Sequence, residues 1–173
     1  MRKRVASALS DNAVVAPMAL RDRARRFLRA ATLLMQNDPL GATYAPVTQI
    51  LLAQSIELTL KAFLSARALT QRRLKTCHLR HDLEELLIEA GTFGLDRFVR
   101  LTPEEHAEIS AVGKGFRSGL LRYSLRPPGA PFQRLEMGDR IVLHRAANRL
   151  LKAIRKPCLD ATLRQARGAD GRK

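Results

Sequence analysis

Apolar residues recur along this chain three and four positions apart, the spacing of one helix face, and nowhere alternate strictly over the length of a strand. Five helices are predicted and no strand. The first covers about 17–36, opened by Pro17 and carrying Met18, Leu20, Phe27, Leu28, Leu33, Leu34 and Met35, until Asp38-Pro39-Leu40-Gly41 breaks it. Arg21, Arg25 and Arg29 recur every fourth residue and are expected to form one basic stripe on that helix. The second starts at Pro46 and is apolar nearly all round (Ile50, Leu51, Leu52, Ile56, Leu58, Leu60, Phe63, Leu64), which predicts a central, buried helix.

Beyond a basic connector, Gln71-Arg72-Arg73-Leu74-Lys75, a third helix is predicted in Cys77–Gly91, with its acids in the first turns and Gly91 as terminator. Thr102-Pro103-Glu104-Glu105 reads as N-cap, first-turn proline and capping-box glutamate of a fourth helix running to about Leu121. Arg126-Pro127-Pro128-Gly129-Ala130-Pro131 is a rigid loop. A fifth helix, about 138–156, sets Ile141, Val142, Leu150, Leu151 and Ile154 against Arg145, Arg149 and Lys152; Pro157 is expected to stop it. The expected fold is all-α, a compact antiparallel bundle of about five helices around a buried second helix. One domain, 1–156, is followed by a basic flexible tail, 157–173.

Charge refines this picture through its distribution. The net charge is +15, with 24 of the 31 cations arginine. Residues 1–30 carry a net +6 and residues 140–173 a net +8, whereas 31–139 is nearly neutral at +1 and contains an acidic stretch, 81–108, at −6. Basic ends attract polyanions, and arginine forks onto phosphate oxygens. The expected RNA-contacting residues are Arg21, Arg25, Arg29, Arg145, Arg149 and Lys152; a solvated basic face is the alternative. Only 5% of residues are aromatic and none is Trp, which argues against a surface that stacks bases on rings. No apolar run approaches the ~18–20 residues that span a bilayer. The basic start, Met1-Arg2-Lys3-Arg4, lacks the apolar region of a secretory signal. Cys77 and Cys158 make no framework for disulfides, which fits a reducing, cytoplasmic setting.

Candidate chemistry lies in few places. Glu57 and Lys61 are the only charges between Val47 and Ala66, four apart on the helix expected to be buried. Burying such a pair costs several kcal/mol per ion unless other polar groups surround it. Cys77, His78, His81 and Asp82 are metal-ligand types within six residues, but no second cluster completes a site, so no metal and no cofactor is expected. Asp82 also fits a helix start, where the dipole favours an acid. Gly113-Lys114-Gly115 is too short for a phosphate loop. Arg-x4–6-His spacings join Arg72 and Arg73 to His78 and Arg100 to His106. In such a pair the histidine can act as base on an RNA 2′-hydroxyl while the arginine stabilises the phosphorane, with no metal.

In order, Tyr44-x-Pro46, Ser55-Ile56-Glu57-Leu58-x-Leu60-Lys61-Ala62-Phe63-Leu64, His81-Asp82-Leu83-x-x-Leu86-Leu87 and Arg122-Tyr123 resemble a bacterial branch of the HEPN proteins over roughly 40–125. The resemblance implies a helical bundle, usually homodimeric, linked to RNA or nucleotides. It implies either a metal-independent endoribonuclease of a defence or toxin–antitoxin system, or a non-catalytic partner of a nucleotidyltransferase or another enzyme. It points to Glu57, Lys61, His81, Asp82, Arg122 and Tyr123 converging near one end of the bundle, as a polar network that fixes helix register or as a site for phosphate or a base. With the Arg73–His78 spacing, the catalytic candidates are Arg73, His78, His81 and Arg122.

Overall fold

A computed structural model describes residues 16–40, 43–76, 79, 81–117 and 139–170. All elements among them are helical: α1 (Pro17–Asn37), α2 (Ala45–Ala66), the single turn α3 (Gln71–Leu74), α4 (Leu83–Thr92), a 3-10 turn (Leu95–Arg97), α5 (Pro103–Arg117), α6 (Arg140–Ala153) and α7 (Arg155–Asp170). The expected all-helical bundle with the second helix at its centre is what forms. Helix α2 packs on α1, α4, α5, α6 and α7, and Leu52, Ile56, Leu60, Phe63 and Leu64 are fully enclosed. Its 22 residues are long and apolar enough, by length and composition, to cross a membrane, contrary to expectation; the other helices bury 72% of that stretch, as befits a core helix.

Helix boundaries follow local chemistry. Asp38 ends α1, and its Oδ2 accepts from the Thr43 and Tyr44 N–H groups at 3.0 and 2.7 Å, turning the chain into α2. Asp82 caps α4 through Oδ1, which takes the Glu84 and Glu85 N–H groups; Asp139 does the same for Ile141 and Val142 of α6. The capping box of α5 closes in both directions: Glu105 N–H donates to Thr102 Oγ1 at 3.1 Å, and Thr102 N–H donates to Glu105 Oε2 at 2.9 Å. The backbone of Gly113 in α5 lies so close to α4 that a Cβ there would stand 3.3 Å from that of Leu83.

Three boundaries differ from expectation. Gly91 lies inside α4, and the left-handed residue beyond its end is Gly94, at φ 80°; the left-handed conformation, not glycine as such, marks the exit. The connector forms α3 because the Thr70 hydroxyl accepts from Arg73 N–H. Residues 157–170 are not a tail but most of α7. Pro157 occupies its first turn, where an N–H has no helical acceptor to lose. Cys158 and Ala161 are buried against the core, and Met18 N–H donates to Thr162 Oγ1 at 3.4 Å. Burial pushes the Cys158 thiol up to about 12, with Arg21 opposing, so it is a packing group rather than a nucleophile. The predicted end of α5 beyond Arg117 and the 126–131 loop lie outside the described residues.

Between α1 and α6, Thr32 Oγ1 stands 2.8 Å from both the Leu28 carbonyl and His144 Nε2. A hydroxyl that donates to the carbonyl accepts from the imidazole, so both contacts are satisfied when Nε2 carries the proton. Burial holds His144 below the ordinary imidazole value of 6.5. Below that value the unfolded chain takes up the proton first, so stability is full above 6.5 and declines as pH falls toward the folded value. Denaturant titrations between pH 7 and 5 should give a stability loss that His144→Gln lacks; equal slopes would refute the assignment.

Candidate functional site

Two flanks of α2 divide the molecule. Ser55 Oγ donates to the Ala24 carbonyl of α1 at 3.0 Å, whereas Glu57, two residues and about 200° further round the helix, turns toward His81. The arginine-bearing helix α1, with α7 against it, therefore lies on one flank of α2, and α4 with His81 at its start on the other.

Glu57 is 2% exposed, and both its oxygens are engaged. Oε1 accepts from Lys61 Nζ at 2.5 Å; Oε2 receives His81 Nδ1 at 3.1 Å and Gln54 Nε2 at 3.4 Å. The helix supplies Gln54 and Lys61 at i−3 and i+4 from Glu57, while His81 arrives from a separate segment. His81 takes a left-handed backbone, φ 68°, a conformation in which histidine is enriched among non-glycine residues. It precedes the Asp82 cap, and this turn delivers the ring onto Glu57. The ring meets Phe116 edge to face, centroids 5.7 Å apart at 87°. The Glu57 carboxylate and the Phe116 ring together hold the imidazole in place. With Nδ1–H donating to Glu57, Nε2 of the neutral ring carries the lone pair. It has no hydrogen-bond partner among the described residues, and the side chain is 29% exposed. An imidazole oriented by a buried carboxylate can act as a general base.

Asp82 does not join this cluster through its carboxylate. One oxygen caps α4 and the other takes Arg117 Nη1, whose guanidinium is otherwise open to solvent. Among the described residues these side chains fall into two groups, Glu57 with Lys61 and His81, and Asp82 with Arg117, joined by the His81–Asp82 backbone. Gln54 and Arg117 are the members that sequence reading missed. Gln54 carries a usable signal, the i,i+3 spacing to Glu57; Arg117, 35 residues from Asp82, carries none. Arg73 is exposed and pairs with Glu89 at 3.4 Å, about two turns along α4 from His81; it is not brought to His81. His78, Arg122 and Tyr123 lie outside the described residues. Among the described residues, no three His, Cys, Asp or Glu side chains are grouped to hold a metal ion.

The basic surface also departs from expectation. Of the expected stripe Arg21, Arg25 and Arg29, the first is turned inward and the other two stay outside. Arg21 is 8% exposed and donates Nε–H to the Leu151 carbonyl at 3.3 Å; burial lowers its affinity for the proton. Arg25 and Arg29 are exposed, with Arg25 3.6 Å from Asp22. Arg23 and Arg26, not anticipated, border an open groove of about 620 Å³ floored by Phe27, Ala30 and Leu51. On α6, Arg145 pairs with Glu104 and Glu105, and Arg149 with Glu105 and the Arg100 carbonyl, so much of their charge is spent within the fold. Lys152 is exposed. Compared with protein-family models, curated proteins and solved structures, the chain finds no match.

Proposed function

We propose that this chain is an RNA-binding helical protein of HEPN type that cleaves RNA without a metal, with His81 as the general base on a 2′-hydroxyl. The observation that carries the reading is the His81 Nδ1 to Glu57 Oε2 contact, which leaves Nε2 the basic nitrogen on a partly exposed ring. Glu57 is a positioning residue. Arg117, 60% exposed beside its Asp82 contact, is the cation suited to the phosphate. A toxin–antitoxin or defence setting belongs to the same reading. The test is incubation with RNA in EDTA. Wild type should cleave; His81→Ala should lose about 10²–10⁴-fold, the usual weight of a general base; Glu57→Gln should lose part of that. Wild-type cleavage that persists in both variants would overturn the assignment.

A second reading, a non-catalytic dimerisation or docking protein that partners a nucleotidyltransferase or another enzyme, has its own observation. Leu33, Leu40, Tyr44 and Val47, along the stretch where α1 turns into α2, are each exposed, and exposed apolar surface of this kind can mark an interaction site. A wild-type protein that is inert toward RNA yet sediments as a dimer, and as a monomer once Val47→Glu is introduced, would favour it.

A further inference from the structure

The six phenylalanines are few for the length of the chain, but the fold gathers two of them at the far end of α2. Phe63 is enclosed, and Phe98, just after the 3-10 turn, meets it edge to face with centroids 5.9 Å apart at 66°. Phe98 keeps 40% of its surface in solvent. The guanidinium of Arg67, which caps α2, lies 5.1 Å from the Phe63 ring centre and 5.4 Å from that of Phe98. Arg67 is exposed and has no carboxylate partner among the described residues. Arg97 and Arg100, either side of Phe98 in sequence, are exposed too.

We propose that Phe98 and Arg67 form a stacking platform for an unpaired nucleobase of single-stranded RNA, with the neighbouring arginines taking the flanking phosphates. Three properties favour this occupant. Phe98 keeps part of its ring surface in solvent, and the planar guanidinium over that ring can stack on a base or fork onto a phosphate. Arg67, Arg97 and Arg100 supply cations for a polyanion, the last two within the otherwise acidic stretch 81–108. Aromatic and arginine faces interleaved in this way are how unpaired bases are held without sequence readout. The platform lies ten residues, about 15 Å, along α2 from Glu57. The proposal rests on RNA being the ligand, not on the chemistry assigned to His81.

The test uses a short single-stranded oligonucleotide with 2′-O-methyl riboses and one 2-aminopurine among uridines, titrated at a single ionic strength. Without a free 2′-hydroxyl it cannot be cleaved by the proposed route, so binding is read apart from catalysis. Wild type should bind it with quenching of 2-aminopurine, the signature of stacking. Phe98→Leu keeps apolar bulk, and Arg67→Lys keeps the charge; each should weaken binding on the order of tenfold and reduce the quench. Should Phe98→Leu prove misfolded by circular dichroism, the exposed Arg67→Lys carries the test. Absence of binding overturns the platform, as does binding of equal strength and quench in the variants. Binding as expected with ordinary RNA left intact would sink the His81 reading alone.

Discussion

Glu105→Ala is expected to destabilise the protein by about 3 kcal/mol, the lower part of the range for breaking a buried ion pair. The carboxylate is fully buried between α5 and α6. Its Oε2 receives the Thr102 N–H at 2.9 Å and Arg149 Nη1 at 2.5 Å, while Oε1, 3.5 Å from Arg145 Nε as an ion pair, has no hydrogen-bond partner among the described residues. Truncation removes a helix cap and the bridge between two helices together. The two guanidinium groups are each over a third exposed and can turn to water, which keeps the loss from being larger. Burial alone would raise the proton affinity of Glu105; the Thr102 N–H and the two arginines outweigh it, so the group is held below its ordinary value of 4.5. Its contribution is therefore complete above pH 4.5 and is lost as pH falls through the folded value. Urea titrations should show wild type and Glu105→Ala far apart at neutral pH and converging in acid. A difference at neutral pH within the scatter of surface substitutions, about 0.5 kcal/mol, would refute this role.

Glu57→Ala should cost about 3 kcal/mol for a related reason, since it strands the Lys61 ammonium, 14% exposed, beside an apolar core. The informative comparison is a double variant, Glu57→Leu with Lys61→Met. Replacing both ions by apolar groups of similar size removes two desolvation costs along with one attraction, so stability should return most of the way to wild type. The positioning role assigned to Glu57 makes a second demand: the restored protein should remain defective in RNA cleavage, because nothing then holds His81 Nδ1. A double variant as unstable as the single one would mean that the Glu57–His81 contact itself holds α2 against the start of α4. Full stability with full cleavage would mean that Glu57 serves only the fold.

How much of this was legible in the sequence follows the separation of the partners. The α5 capping box involves Thr102 and Glu105, three residues apart, and the Glu57–Lys61 pair spans four; helical geometry alone puts such residues together. Asp82 at a helix start reads equally well. The same local signals say nothing of where a side chain goes once helices pack. His81 reaches Glu57 across 24 residues, Arg149 reaches Glu105 across 44, and Arg21 reaches the Leu151 carbonyl across 130. Pro157 shows the converse limit. A proline that cannot continue one helix is equally suited to begin the next, and burial of Cys158 and Ala161 decides in favour of the helix.

The sequence by itself determined that the chain is helical, that the apolar second helix lies at the centre, and that Glu57 and Lys61 share one face of it. Each depends on periodicity or spacing within a helix, where backbone geometry leaves little choice. Only the tertiary structure decided which charges remain available outside. It turned Arg21 inward, committed Arg145 and Arg149 to Glu105, and left Arg23 and Arg26 open beside a groove. It also set the α1 arginines and His81 on opposite flanks of α2, because Ser55 and Glu57 point in nearly opposite directions from one helix. Charge is additive along a chain, whereas its availability depends on which helices pack together, and that is decided by burial of the whole core.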